Sequence, residues 1–157
     1  MFPQGRVLFI LRDPLMVTRA VLNDRRRKER HLSAYQIARE TIDPLRVVAT
    51  EARHLRDPLT FAIAYEDLVD DTAATMKRVA AFLEIPFGDV LTRPTLFGEP
   101  VVVRTASRPE AEVFRSRAQW HEGLTARERR IVALTTQLAR LVGLRVDYPV
   151  LRTQLVK

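Results

Sequence analysis

The first patterned stretch of the chain, Arg6 to Leu11, is apolar on both alternating sides, as in a strand of a parallel sheet covered by helices on both faces. It runs straight into Arg12-Asp13-Pro14, where a helical pattern begins. Asp13 suits the capping position, Pro14 the first helical position, and Leu15, Thr18, Val21 and Leu22 form one stripe. The basic block Arg25-Arg26-Arg27-Lys28 closes that helix. Ser33 opens a second helix expected to run to about Thr41, and Asp43-Pro44 reads as a restart, with Leu45, Val48, Ala52 and Leu55 sharing a face.

A second strand-like run, Leu59 to Leu68, has apolar residues that end in Tyr65-Glu66-Asp67 and predicts another α/β junction. Met76, Val79, Phe82 and Leu83 then predict a helix from Thr72, capped by Asp70 or Asp71 and stopped before Pro86. Residues Thr92 to Glu110, with three prolines and a glycine, read as a long loop holding one short strand at most. Thr125 and Glu128 have capping-box spacing, Ile131, Leu134, Leu138 and Leu141 keep helical register, and Gly143 is the stop. The predicted order is β-α-α-β-α-loop-α, with a right-handed crossover between two parallel strands. Two such strands need neighbours to form a stable sheet, so a further element preceding residue 6 is expected.

Composition narrows the classes. The 157 residues are 46% hydrophobic and 29% charged, an ordinary globular mixture and enough for one domain with a real core. There is no cysteine, which excludes disulfides and thiolate metal sites, and His31, His54 and His121 are too scattered to suggest a metal centre. No apolar run approaches the roughly 20 residues of a membrane span, and the signal-peptide layout is absent, so a cytoplasmic location is the default expectation. The net charge of +7 points to an anionic partner: nucleic acid, a membrane surface or a phosphorylated small molecule.

Arg12 gives that charge a place. Ligands of open α/β sheets bind beyond the carboxyl ends of the strands, near helix N-termini that favour anions, and a guanidinium there can grip a phosphate through two parallel hydrogen bonds. The competing role is structural: Arg12 would pair with Asp13, Glu66 or Asp67 and finish the strand.

The segment "FPQGRVLFILRDPLMV" resembles the 3′-phosphate-binding segment of sulfotransferases that use 3′-phosphoadenosine 5′-phosphosulfate (PAPS). "AYEDLVDDTAATMKRVAAFLEIP" is similar to the family's later strand and helix, and "RAQWHEGLTARERRIV" to its C-terminal Trp, Leu-Thr and acidic helix start. The resemblance implies an α/β, helix-rich, parallel-sheet fold of the P-loop-NTPase-like sulfotransferase type, here a single partial domain over residues 1–157. It also implies PAPS as sulfuryl donor, no metal, and transfer to a hydroxyl or amine acceptor. By position, Arg12 would bind the 3′-phosphate. Tyr65 would border the adenine, its other reading being an aromatic that closes the core at a strand end. Arg115 or Arg117 would supply a late basic contact, the other reading for each being a solvated arginine. Arg104, Thr105 and Ser107 fall in a polar segment near the donor.

Three departures accompany the resemblance, the first being that Gly143-Leu144 stands where the family has a closing Gly-Tyr. The family's serine eight residues after the arginine is Ala20 here, leaving Thr18 or Arg19 to replace it. None of the five glycines opens a loop for the phosphosulfate, and the family's catalytic base lies upstream of the arginine strand, so the sequence reads as truncated at its N-terminus, with catalytic residues unassigned. His31 reads as a surface residue, and Glu66 and Asp67 as scaffold that caps a turn and pairs with arginines. The alternatives are a nucleic-acid-binding module built on Arg25 to Lys28 and the C-terminal helix, which lacks glycine-and-aromatic recognition motifs, and a non-catalytic remnant whose sheet edge pairs with a partner chain or its own copy. No membrane partner is expected.

Overall fold

The computed structural model describes residues 5–28, 31–93, 95–96, 99–100 and 119–155. Strands β1 (Val7–Leu11) and β2 (Thr60–Ala64) are parallel and in register from Val7 opposite Thr60 to Leu11 opposite Ala64, so both end at the same edge. Helices α1 (Pro14–Lys28) and α2 (Ala34–His54) lie between them in sequence. After β2 come α3 (Tyr65–Asp70), α4 (Thr72–Leu83), a 3-10 turn at Asp89–Thr92 and a small antiparallel pair, β3 (Thr95–Leu96) with β4 (Glu99–Pro100). Helices α5 (Ala126–Leu141) and α6 (Tyr148–Leu155) follow. The architecture is helix-rich α/β around a small parallel sheet, as expected.

Local chemistry sets most of the boundaries. Asp13 Oδ1 accepts the N–H groups of Leu15 at 2.8 Å and Met16 at 3.4 Å, so α1 begins at Pro14. Ser33 with Gln36 and Thr125 with Glu128 form reciprocal capping boxes on α2 and α5. Gly143, at φ 89°, takes the left-handed conformation that ends α5, and Leu144 N–H returns to the Ala139 carbonyl at 2.9 Å.

Three expectations are corrected. Helix α2 does not break near Thr41 but runs through Pro44. A proline there deprives the Glu40 carbonyl of its usual partner four residues on. The Thr18 hydroxyl of α1 lies 3.3 Å from that carbonyl and meets the vacancy from a neighbouring helix. Strand β1 is not covered on both faces: Leu11 is buried on one, whereas Ile10 on the other is 56% exposed. Helix α4 covers that face over β2, where Phe82 stacks on Phe61 at 5.1 Å, and leaves Ile10 open. On α5 the buried residues are Glu128, Val132, Thr135 and Ala139, while Leu134, Leu138 and Leu141 face outward. The small side chains of the first set let α5 lie against α2.

Two apolar clusters hold these elements. Leu11, Val48, Ala62, Ala64, Tyr148 and Leu155 join the sheet to α2 and α6. Leu22, Leu32, Ile37, Leu124 and Val132 join α1, α2 and α5, with Leu15, Trp120 and Ile131 against them.

Candidate functional site

Because β1 and β2 end in register, the residues that follow them meet at one edge of the sheet. The Arg12 guanidinium lies over the Tyr65 ring, 4.6 Å from its centroid. That contact restrains a long cation and leaves its N–H groups unused. Among the described residues Arg12 makes no hydrogen bond or ion pair, because each carboxylate that might neutralise it is engaged elsewhere. Asp13 caps α1. Glu66 accepts the Asp13 N–H at 3.2 Å through Oε1 and the Tyr148 hydroxyl at 2.5 Å through Oε2. Asp67 takes two hydrogen bonds from Arg152, at 2.8 and 2.6 Å, and Asp70 a third at 3.3 Å.

Two groups here are electrostatically perturbed. Burial, then the Glu66 carboxylate, pushes the Tyr148 hydroxyl far above its ordinary pKa, so it stays a donor. Burial works against the charge of Arg152, but the hydrogen bonds it donates to Asp67, with the charge of that carboxylate and the contact with Asp70, outweigh it and raise its pKa. The scaffold reading of Asp67 thus has its arginine, although Arg152 carries no local sequence signal for that pairing.

The helix start contributes less than expected. Asp13 already occupies two N–H groups of α1, so the group this edge offers an anion is the Arg12 side chain. An arginine without a carboxylate partner, propped on an aromatic ring at the carboxyl edge of a parallel sheet, fits a phosphate.

The other candidates are placed differently. Thr18 is fully buried; its hydroxyl donates to the Pro14 carbonyl at 2.9 Å and reaches Glu40, so it joins α1 to α2. Arg19 is half-buried, and its Nε–H donates to the Glu122 carbonyl at 2.9 Å, tying α1 to the turn before α5. No hydrogen bond or ion pair among the described residues joins either to Arg12 or Tyr65. Ala20 is exposed. Arg115 and Arg117, like Arg104, Thr105 and Ser107, lie outside the described residues. His31 is exposed at the approach to α2.

The basic block is largely paired within the fold. Arg25 meets Glu40 at 2.7 Å, Arg26 meets Glu128 at 3.4 Å, and Lys28 meets Asp24 at 2.7 Å. No helix among the described residues is long and apolar enough to cross a membrane, and none of them group three or more His, Cys, Asp or Glu where a metal ion could be held.

The parallel strands and the helices that follow them make an α/β fold that brings Arg12 and Tyr65 together at one carboxyl edge. The model of the sulfotransferase family matches residues 1–89, which include β1, α1, α2, β2, α3 and α4. The chain belongs to the sulfotransferase family. No curated protein and no solved structure matches it.

Proposed function

We propose that this chain binds the 3′-phosphoadenosine part of PAPS, with Arg12 on the 3′-phosphate and Tyr65 bordering the adenine. Through that site it would take part in sulfuryl transfer to a hydroxyl or amine acceptor. PAPS supplies the sulfuryl group; the residues at the sheet edge bind and orient the nucleotide that carries it. The observation that carries this reading is the Arg12 guanidinium, stacked on Tyr65 and without a carboxylate partner among the described residues, where Asp13, Glu66 and Asp67 have other partners.

Thr18 and Arg19 have less support as second phosphate contacts, since the hydroxyl of one and the Nε–H of the other are engaged in packing α1. A nucleic-acid reading is weakened by the internal pairing of Arg25, Arg26 and Lys28. The test is the thermal stability of the chain with 3′,5′-bisphosphoadenosine. The nucleotide raises Tm, and Arg12→Ala removes the rise, weakening binding by about 10- to 100-fold as expected for charge-assisted hydrogen bonds. An unshifted Tm for the unsubstituted chain would overturn the assignment.

A further inference from the structure

We propose that Tyr148 and Glu66 are positioning residues for the Arg12 guanidinium, forming a clamp that grips the backbone on both sides of Arg12. This rests on the nucleotide reading above and adds to it a part of the site supplied by α6, outside the segment that matches the family.

The clamp is closed by three contacts. The Tyr148 hydroxyl shares its hydrogen between Glu66 Oε2 at 2.5 Å and the Leu11 carbonyl at 3.1 Å. Glu66 Oε1 accepts the N–H of Asp13 at 3.2 Å. The residue before Arg12 and the residue after it are therefore both held by one carboxylate–phenol unit. Glu66 also directly follows Tyr65, the ring on which Arg12 rests. A displacement of Glu66 thus moves the backbone of Arg12 and its stacking partner together. Tyr148 is 6% exposed and seated in the cluster with Leu11, Ala64 and Leu155, so packing fixes its own position. A site that must place a planar guanidinium against a phosphate gains from such support, because misplacement weakens both hydrogen bonds of the pair.

Arg152 supplies an internal control. It ties α6 to α3 through Asp67 and Asp70, but contacts neither Arg12 nor its flanking peptide groups among the described residues. If α6 served stability alone, loosening it at Arg152 or at Tyr148 would affect exchange of the Asp13 N–H alike.

The experiment is calorimetric titration of the full chain with 3′,5′-bisphosphoadenosine, alongside Tm and amide exchange at Asp13. Tyr148→Phe and Glu66→Ala should weaken binding about three- to tenfold, the loss of one net hydrogen bond, and speed Asp13 exchange. Glu66→Gln should restore binding, since its amide oxygen can accept from Asp13 and its NH2 can donate to the Tyr148 oxygen, freeing the hydroxyl hydrogen for Leu11. Arg152→Gln should lower Tm without changing Asp13 exchange, and any affinity it loses through the freed Asp67 carboxylate comes without that change. Unchanged affinity in both Tyr148→Phe and Glu66→Ala would overturn the clamp and leave the nucleotide reading standing. So would an Asp13 exchange rate that rises as Tm falls across all variants, Arg152→Gln included. Absence of binding by the unsubstituted chain would overturn both.

Discussion

Two regions of this molecule are rich in arginine, and they use it in opposite ways. Where α1, α2 and α5 meet, Arg19 donates to the Glu122 carbonyl, Arg25 pairs with Glu40, Arg26 with Glu128, and Arg127 donates to the Leu32 carbonyl at 2.7 Å. These guanidiniums join helices and loops to one another. At the sheet edge, Arg12 has an aromatic ring beneath it and, among the described residues, no ion pair. Net charge draws attention to both regions equally. What separates a ligand-binding cation from a structural one is whether the fold has already supplied its counter-charge.

The comparison can be broken by exchanging the consequences of substitution. The largest effect expected is on binding: Arg12→Ala removes the nucleotide-induced rise in Tm while the unliganded chain melts close to the unsubstituted value, since among the described residues only the contact with the Tyr65 ring is lost. Arg26→Ala should do the reverse. It leaves the Glu128 carboxylate, 5% exposed, without its cation, and should cost about 1–3 kcal/mol in urea unfolding with nucleotide affinity unchanged. Equal losses of affinity in the two variants would erase the distinction.

Thr18→Val sharpens the boundary between the regions. It keeps the shape of a fully buried side chain but removes the donor to Pro14 and Glu40, so stability should fall by about 1 kcal/mol. Affinity should hold; a selective loss of binding would return Thr18 to the phosphate site. A smaller effect appears with pH. Tyr148 in the unfolded chain ionises near its ordinary value of 10, whereas in the folded chain burial and Glu66 keep it protonated to higher pH. Its contribution is complete below about pH 10 and declines above, where the unfolded state releases a proton that the folded state retains. Denaturation series between pH 9 and 11 should show that decline, and Tyr148→Phe should flatten it. The smallest effect is Lys28→Met on exposed α1: the pairing that holds Asp24 below the usual carboxylate range is solvent-screened, and the urea midpoint should not move measurably.

The parts of the fold that could be read from the residues are those governed by neighbours in sequence. Asp13-Pro14, Ser33 with its reciprocal Gln36, Thr125 with Glu128, and Gly143 each act within about a helical turn, and their helices begin or end there. The errors arose where distant segments intervene. Pro44 is tolerated because Thr18, on another helix, attends to the carbonyl it strands. The outward leucines of α5 reflect the choice of its small-residue side for α2, a matter of close approach that periodicity does not encode. At the site, Arg12 and Tyr65 were legible because both directly follow parallel strands. Tyr148 was not, since its role depends on groups 137 and 82 positions away.

That last separation has a temporal consequence. During synthesis β1 precedes Tyr65 and Glu66, but the hydroxyl that holds the end of β1 arrives only after residue 148 has left the ribosome. Non-local contacts of this span carry a large loop-closure cost and form late. The arginine strand is thus made well before it is secured, which links the fixing of Arg12 to synthesis of α6.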